Sequence, residues 1–167
     1  EYDVTDDLLV GAAARYETYN DFGTSITWKT TGRYKMMDDN LSVRGSVSTG
    51  FRAPSLHQMY MSNIQTLLSG STISNQGTYN NESDVVASLG VDKLKEENSF
   101  NMTFGFAFKP MQGLYTSFDY YDISVDDRIV YSSSIASSDA TTQVGQILAA
   151  ADITSLKFFT NAIDTKT

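Results

Sequence analysis

Ser99-Phe100-Asn101-Met102-Thr103-Phe104-Gly105-Phe106-Ala107-Phe108 alternates without a break. Phe100, Met102, Phe104, Phe106 and Phe108 occupy one set of alternate positions, and Asn101, Thr103, Gly105 and Ala107 occupy the other. An extended strand sends successive side chains to opposite faces, so this period of two makes one apolar face and one small or polar face. A helix would scatter the same phenylalanines around its circumference. The segment is also long: strands of soluble sheets run about 5–6 residues, whereas a membrane-crossing strand takes about 9–11.

The same pattern recurs on both sides. In residues 7–19, Leu8, Val10, Ala12, Ala14 and Tyr16 share a face, opposite Leu9, Gly11, Ala13, Arg15 and Glu17. In 24–36, Ile26, Trp28, Tyr34 and Met36 oppose Ser25, Thr27, Lys29, Thr31, Arg33 and Lys35. In 41–51, Leu41, Val43, Val47 and Phe51 oppose Ser42, Arg44, Ser46 and Ser48. Residues 114–130 are less regular. Leu114, Phe118 and Tyr120 are in one phase and Ile123, Val125 and Ile129 in the other, which suggests a β-bulge between them. A weaker segment spans 156–167.

The connections are unequal. Asn20-Asp21-Phe22-Gly23, Asp38-Asp39-Asn40 and Lys109-Pro110-Met111-Gln112-Gly113 read as short turns. Residues 52–94 and 131–155 read as long polar connections, with one or two helical turns within 142–151. Short turns at one end and long loops at the other are the mark of a transmembrane barrel, although the turn at 20–23 is short where a long loop is due. Periodicity alone leaves a soluble antiparallel sandwich open, because it alternates in the same way. Strand length favours the barrel, with Ile26, Trp28, Val43, Val47, Phe104 and Phe106 toward lipid. Tyr16, Tyr34, Phe51, Phe108 and Tyr120 then lie near the interfaces, and Arg15, Glu17, Lys29, Arg33, Lys35 and Arg44 face a wet lumen.

Composition narrows the function classes. The 167 residues carry a formal net charge of −8, which argues against a nucleic-acid partner. There is no cysteine, so disulfides and thiolate metal sites are excluded. Glu1-Tyr2-Asp3 does not open a signal peptide, and no run approaches the roughly 18 apolar residues of a membrane-spanning helix. His57 is the only histidine and lacks obvious metal-ligating neighbours. Asp6-Asp7 and Asp126-Asp127 lack the spaced oxygen ligands of a calcium loop. Asp119, Asp122 and Asp126 are spaced as one strand face interrupted by a bulge, with no cleft implied for acid–base chemistry. No nucleophile elbow and no phosphate-cradling glycine loop is present, so no enzymatic activity and no cofactor is expected.

One stretch is more specific. Ser48-Thr49-Gly50-Phe51-Arg52-Ala53-Pro54-Ser55-Leu56 resembles the STGFRAPSL signature in the barrels of TonB-dependent outer-membrane receptors. Leu94-Lys95-Glu96-Glu97-Asn98-Ser99-Phe100 is similar to that family's approach to the next strand, with Glu96 in place of the usual proline and no counterpart of its common strand glutamate. Asp119-Tyr120-Tyr121-Asp122-Ile123-Ser124-Val125-Asp126-Asp127-Arg128-Ile129 resembles the family's DYY-x-I-x-I-x-D-R-I. Phe158-Phe159-Thr160-Asn161-Ala162-Ile163-Asp164-Thr165-Lys166-Thr167 resembles its FFTNAIDTKT. The four follow in the family's order.

The resemblance implies an all-β fold: an antiparallel transmembrane β-barrel segment of about six long strands, cut from a larger plugged barrel of about 22 strands. Residues 1–167 are then a partial barrel domain without its plug and remaining strands. It also implies a bacterial outer-membrane location and an energy-coupled importer for a scarce large solute, such as a ferric siderophore, cobalamin or an oligosaccharide. Its partners are the TonB energy-transducing complex, outer-membrane lipid and the solute. A passive porin and a secreted glycan-binding sandwich are the alternatives. Solute-contact candidates are Tyr60, Tyr79, Asn80 and Asn81, with residues of 131–155. Gly50, Phe51, Arg52, Ala53, Pro54 and Ser55 are expected to be structural: Gly50 where the strand leaves the sheet, Pro54 just past its end, and Arg52 paired with a carboxylate.

Overall fold

The computed structural model describes residues 1–20, 23–69 and 72–167. The chain order is β1 (Tyr2–Asp3), β2 (Leu8–Tyr19), β3 (Gly23–Met36), β4 (Leu41–Arg52), α1 (Leu56–Tyr60), β5 (Asn63–Ser69), β6 (Thr72–Thr78) and α2 (Asp84–Ala87). It continues with β7 (Glu97–Met111), β8 (Leu114–Tyr131), β9 (Ile135–Ala136), α3 (Gln143–Ala150), β10 (Ser155–Lys157) and β11 (Phe159–Lys166). All six alternating segments are strands, and they neighbour one another in a seven-stranded sheet ordered β1-β2-β3-β4-β7-β8-β11. The fold is antiparallel β, as the alternation requires. No helix among the described residues is long and apolar enough to cross a membrane, which bears on helices only. Asp21 and Phe22, the centre of the turn expected at 20–23, lie outside the described residues.

Two compact units divide the chain. The first comprises Glu1–Arg52, Glu97–Asp126 and Asp164–Thr167; the second comprises Ala53–Glu96 and Asp127–Ile163.

In the first unit the register aligns the apolar phases of neighbouring strands. Ala14 pairs with Trp28, Tyr16 with Ile26 and Tyr34 with Val43. Val43 pairs in turn with Phe106 and Val47 with Met102, while Phe106 pairs with Phe118 and Phe104 with Tyr120. Directly opposed residues share a face, so these side chains form one continuous apolar surface. That surface is solvent-accessible: Trp28 is 42% exposed, Phe104 49% and Phe118 53%. Arg33, Arg44, Gly105 and Asp119 make one row of the other face.

The turns at the ends of the strands are tight. Met37, Asp38 and Asp39 all adopt positive φ between β3 and β4, and Asn40 N–H closes the turn on the Met37 carbonyl at 3.0 Å. Aspartate tolerates this region better than most residues. Gly113, at φ +86, turns β7 into β8.

The bulge expected between Tyr120 and Ile123 is absent. The β7–β8 register runs unbroken from Asn98–Asp126 to Phe108–Thr116, and the irregularity lies between Phe108 and Met111, beside the turn. What changes along β8 is the polarity of each face. The face carrying Phe118 and Tyr120 continues with Asp122, Ser124 and Asp126, while Ile123 and Val125 lie on the other. The environment switches and the backbone does not.

The second unit replaces the expected loops with ordered structure. β5 and β6 form a hairpin within 52–94, and a four-stranded sheet runs β5-β6-β10-β9, with β10 parallel to β6. Helix α3 falls within the expected 142–151, with Thr142 as N-cap accepting from Gly145 N–H at 3.1 Å. Leu156 and Lys157 of the expected sixth segment instead join Ser155 in β10, which pairs with β6 and β9, so the last strand of the large sheet starts at Phe159. Val86, Leu148, Ile153, Leu156 and Phe158 are buried together as a core.

Candidate functional site

The signature residues are built as a strand exit. Gly50 pairs with Ser99, and a Cβ at Gly50 would overlap the Ser99 hydroxyl, so any larger residue requires that hydroxyl to turn away. Phe51 is half-buried opposite Asn98. Arg52 lies directly opposite Glu97 and grips it with two bonds, Nε to Oε2 at 2.7 Å and Nη2 to Oε1 at 2.6 Å. Glu97 is buried at 7% exposure, and a buried carboxylate is tolerable only when paired in this way. Ala53 is half-buried, and Pro54 is buried just past the strand, where its missing N–H leaves no ladder bond unmade. Ser55 caps α1 in a reciprocal box. Its Oγ accepts from Gln58 N–H at 3.3 Å, and Gln58 Oε1 accepts from Ser55 N–H at 2.9 Å.

A second cluster joins three more of the quoted stretches. Asn161 Oδ1 accepts from Lys95 N–H at 2.9 Å, while its Nδ2 donates to the Lys95 carbonyl at 2.9 Å and to the Asp127 carbonyl at 2.6 Å. Lys95 Nζ pairs with Asp127 Oδ1 at 2.8 Å. One carboxamide therefore ties the 94–100, 119–129 and 158–167 stretches together through their backbones.

On the polar face of the large sheet, Arg44 reaches across β7 to Asp119 on β8 with a forked contact, Nη2 to Oδ1 at 2.7 Å and to Oδ2 at 2.8 Å. Gly105 lies between them, and a Cβ there would strike the Asp119 carboxylate. The glycine in the middle of the clearest strand is thus the gap through which this ion pair forms.

A model of the TonB-dependent receptor-like β-barrel matches residues 1–165. The chain belongs to that family. It is a family of receptors and transporters, with no enzymatic activity as its defining property. Among solved structures, the siderophore receptor PirA from Pseudomonas aeruginosa matches at a TM-score of 0.65 and 17% identity, covering 98% of this chain. The chain spans 27% of that receptor's length. At this identity the likeness concerns the fold. No curated protein matches the sequence.

With the family in view, the four loop candidates separate. Tyr60 ends α1 and is 58% exposed. Tyr79 is half-buried, packs against the core and donates its N–H to the Lys157 carbonyl at 3.0 Å. Asn80 is spent on its own turn: its Oδ1 accepts from Glu82 N–H at 3.1 Å and its carbonyl from Ser83 Oγ at 2.9 Å. Asn81 is 3% exposed and donates Nδ2 to the Phe159 carbonyl at 2.8 Å, which places it in the packing rather than on a solute-facing surface.

The aspartate series also separates. With no bulge, Asp119 points to the polar face while Asp122 and Asp126 share the other, and Asp122 pairs with Lys166 at 3.0 Å. They do not converge as an acid–base set. Sequence reading missed Glu97 and Asn161. Glu97 was legible only as a carboxylate in the family's approach segment. Asn161 acts on main-chain groups, which leave no trace in side-chain patterns.

Proposed function

We propose that this chain is part of the barrel of an energy-coupled importer in a bacterial outer membrane, drawn from a larger plugged barrel. The observation that carries the reading is the family match over residues 1–165, on a sheet whose apolar face is continuous and exposed. A porin wall shares the apolar face, so the family match is what favours coupled import.

The solute is a scarce, large molecule of the class that includes ferric siderophores, cobalamin and oligosaccharides. The siderophore receptor among the similar folds makes siderophores the first class to test. TonB, driven by the inner-membrane proton gradient, supplies the energy, and outer-membrane lipid covers the apolar face. Tyr60 and Tyr79 remain the aromatic candidates for solute contact. Asn80 contributes through its turn and Asn81 through the packing behind it.

The test is uptake of a panel of labelled ferric siderophores, cobalamin and maltooligosaccharides by cells expressing the complete gene product. Uptake of one class should disappear when TonB is deleted or the proton gradient is collapsed. Uptake that persists under both conditions would overturn the importer reading in favour of a passive pore.

A further inference from the structure

The four-stranded sheet of the second unit is two-faced in a way that import alone does not explain. Asn63 pairs with Thr78 and Thr78 with Lys157, while Gln65 pairs with Gln76 and Gln76 with Ser155. These two rows are two residues apart on every strand, so all six side chains share one face. The row between them is Ile64, Gly77 and Leu156, and Leu156 is fully buried in the core. The sheet thus turns Leu156 and Gly77 toward the core, leaves Ile64 on its edge strand exposed, and presents a polar array to a cavity of about 120 Å³ on the other side.

Tyr131 also lines that cavity. Its hydroxyl bonds Thr78 Oγ1 at 2.7 Å, and Lys157 Nζ stands 5.7 Å from the centre of its ring. Among the described residues, Lys157 has no carboxylate partner, as is true of Lys29 and Lys109, whereas Lys35, Lys93, Lys95 and Lys166 each have one. The side chains of Asn63, Gln65 and Gln76 likewise make no hydrogen bond to another described residue. A cavity wall therefore holds three uncommitted carboxamides, each able to donate and accept, around one ammonium that lacks a carboxylate and the aromatic ring it stands over.

We propose that this cavity binds a small polyhydroxylated carboxylate, either the sugar-acid ring or the open-chain hydroxy-acid group of a larger solute. The carboxylate pairs with Lys157, and the ligand hydroxyls exchange bonds with Gln65, Gln76 and Asn63. The exposed part of the Tyr131 ring covers the ligand's C–H face. Well-placed polar groups are what orients a ligand in a small-molecule site, and this wall supplies them beside one aromatic surface. A neutral solute would leave the ammonium without a counter-charge, and a purely apolar one would leave the carboxamides unbonded. The proposal deepens the importer reading and rests on it for its biological use, but the binding itself is a property of this chain.

The experiment is binding to the full chain in detergent micelles, followed by saturation-transfer NMR and calorimetry, with glucuronate, citrate and glucose as probes. Glucuronate or citrate should bind more tightly than glucose. Lys157→Met should weaken the bound carboxylate about tenfold and leave glucose unchanged, the effect of removing one charge-assisted bond. Lys157→Arg should restore most of the affinity. Gln65→Leu, at an exposed position, should weaken both carboxylate and glucose and serves as an independent reading if Lys157→Met does not fold. Preference for glucuronate would identify the sugar-acid source, and preference for citrate the hydroxy-acid source. Absence of carboxylate binding at millimolar concentration would overturn the proposal, as would binding that neither Lys157→Met nor Gln65→Leu alters. Neither result would touch the importer reading, which is decided by uptake.

Discussion

The two units bury their apolar residues in opposite senses. In the first, Trp28, Phe104, Phe118 and Tyr120 lie exposed on one face of the large sheet, and the polar face holds the Arg44–Asp119 pair. In the second, Val86, Leu148, Ile153, Leu156 and Phe158 are closed off from solvent, with the polar Asn81 and Ser155 buried as well. Burial in protein stabilises the second unit in the ordinary way. The first has no equivalent interior among the described residues, and its exposed apolar face is the surface that the proposed lipid contact requires. One chain therefore carries two solvation rules, and the rule changes within β8, where the apolar residues pass from the face of Phe118 and Tyr120 to that of Ile123 and Val125.

The contrast can be broken first at the second unit's core. Leu156→Ala should destabilise that unit by about 2–5 kcal/mol, the range for emptying a packed leucine site, and by a similar amount whatever surrounds the large sheet. Denaturant melts in two detergents would check this, and a loss that depended on the detergent would contradict a protein core. Phe104→Arg should cost about 2–4 kcal/mol in a bilayer, while Thr103→Arg on the polar face should be much milder. Equal costs would mean that protein packs on both faces. Asn161→Ala should cost about 1–3 kcal/mol by leaving the Lys95 and Asp127 backbone groups short of partners, read as faster amide exchange at Lys95. If exchange there is unchanged, the clasp is not holding the stretches together.

The smallest effect is a pH dependence in the second unit. Asp139 accepts from the Thr141 hydroxyl at 2.6 Å and the Thr141 N–H at 2.9 Å, and these bonds hold its carboxyl below the ordinary 3.8. A depressed folded-state value adds stability that is fully present above 3.8 and lost as pH falls through the folded value. Acid titration should therefore show Thr141→Ala converging with the native chain at low pH and differing slightly from it at neutral pH. A difference that grows on acidification would reverse the sign.

The wall was legible because membrane-crossing strands repeat their solvent preference at every second residue, so 99–108 and 24–36 declare both faces. The second unit was not, because its core joins Val86 to Leu148 and the 153–158 stretch across some sixty residues of chain, with no common period. Val86 follows Val85 in a four-residue helix between Ser83 and Ser88, and Ile64, Leu67 and Leu68 keep no period and are exposed. Ile123 and Val125 read as a bulge because a change of environment and a slip of register leave the same trace in a sequence. Arg52 was foreseen to seek a carboxylate, but choosing Glu97 required the β4–β7 register. Tyr79 and Asn81 read as loop residues because burial conferred by a distant β10 or β11 cannot be seen locally.

Trp28 is the chain's single tryptophan and lies on the apolar face of the large sheet, so its fluorescence reports on the central claim without any substitution. The chain reconstituted into vesicles should show blue-shifted emission that lipids brominated along their acyl chains quench strongly and aqueous acrylamide quenches weakly. Strong quenching by acrylamide, with no response to the brominated lipids, would contradict a lipid-facing sheet.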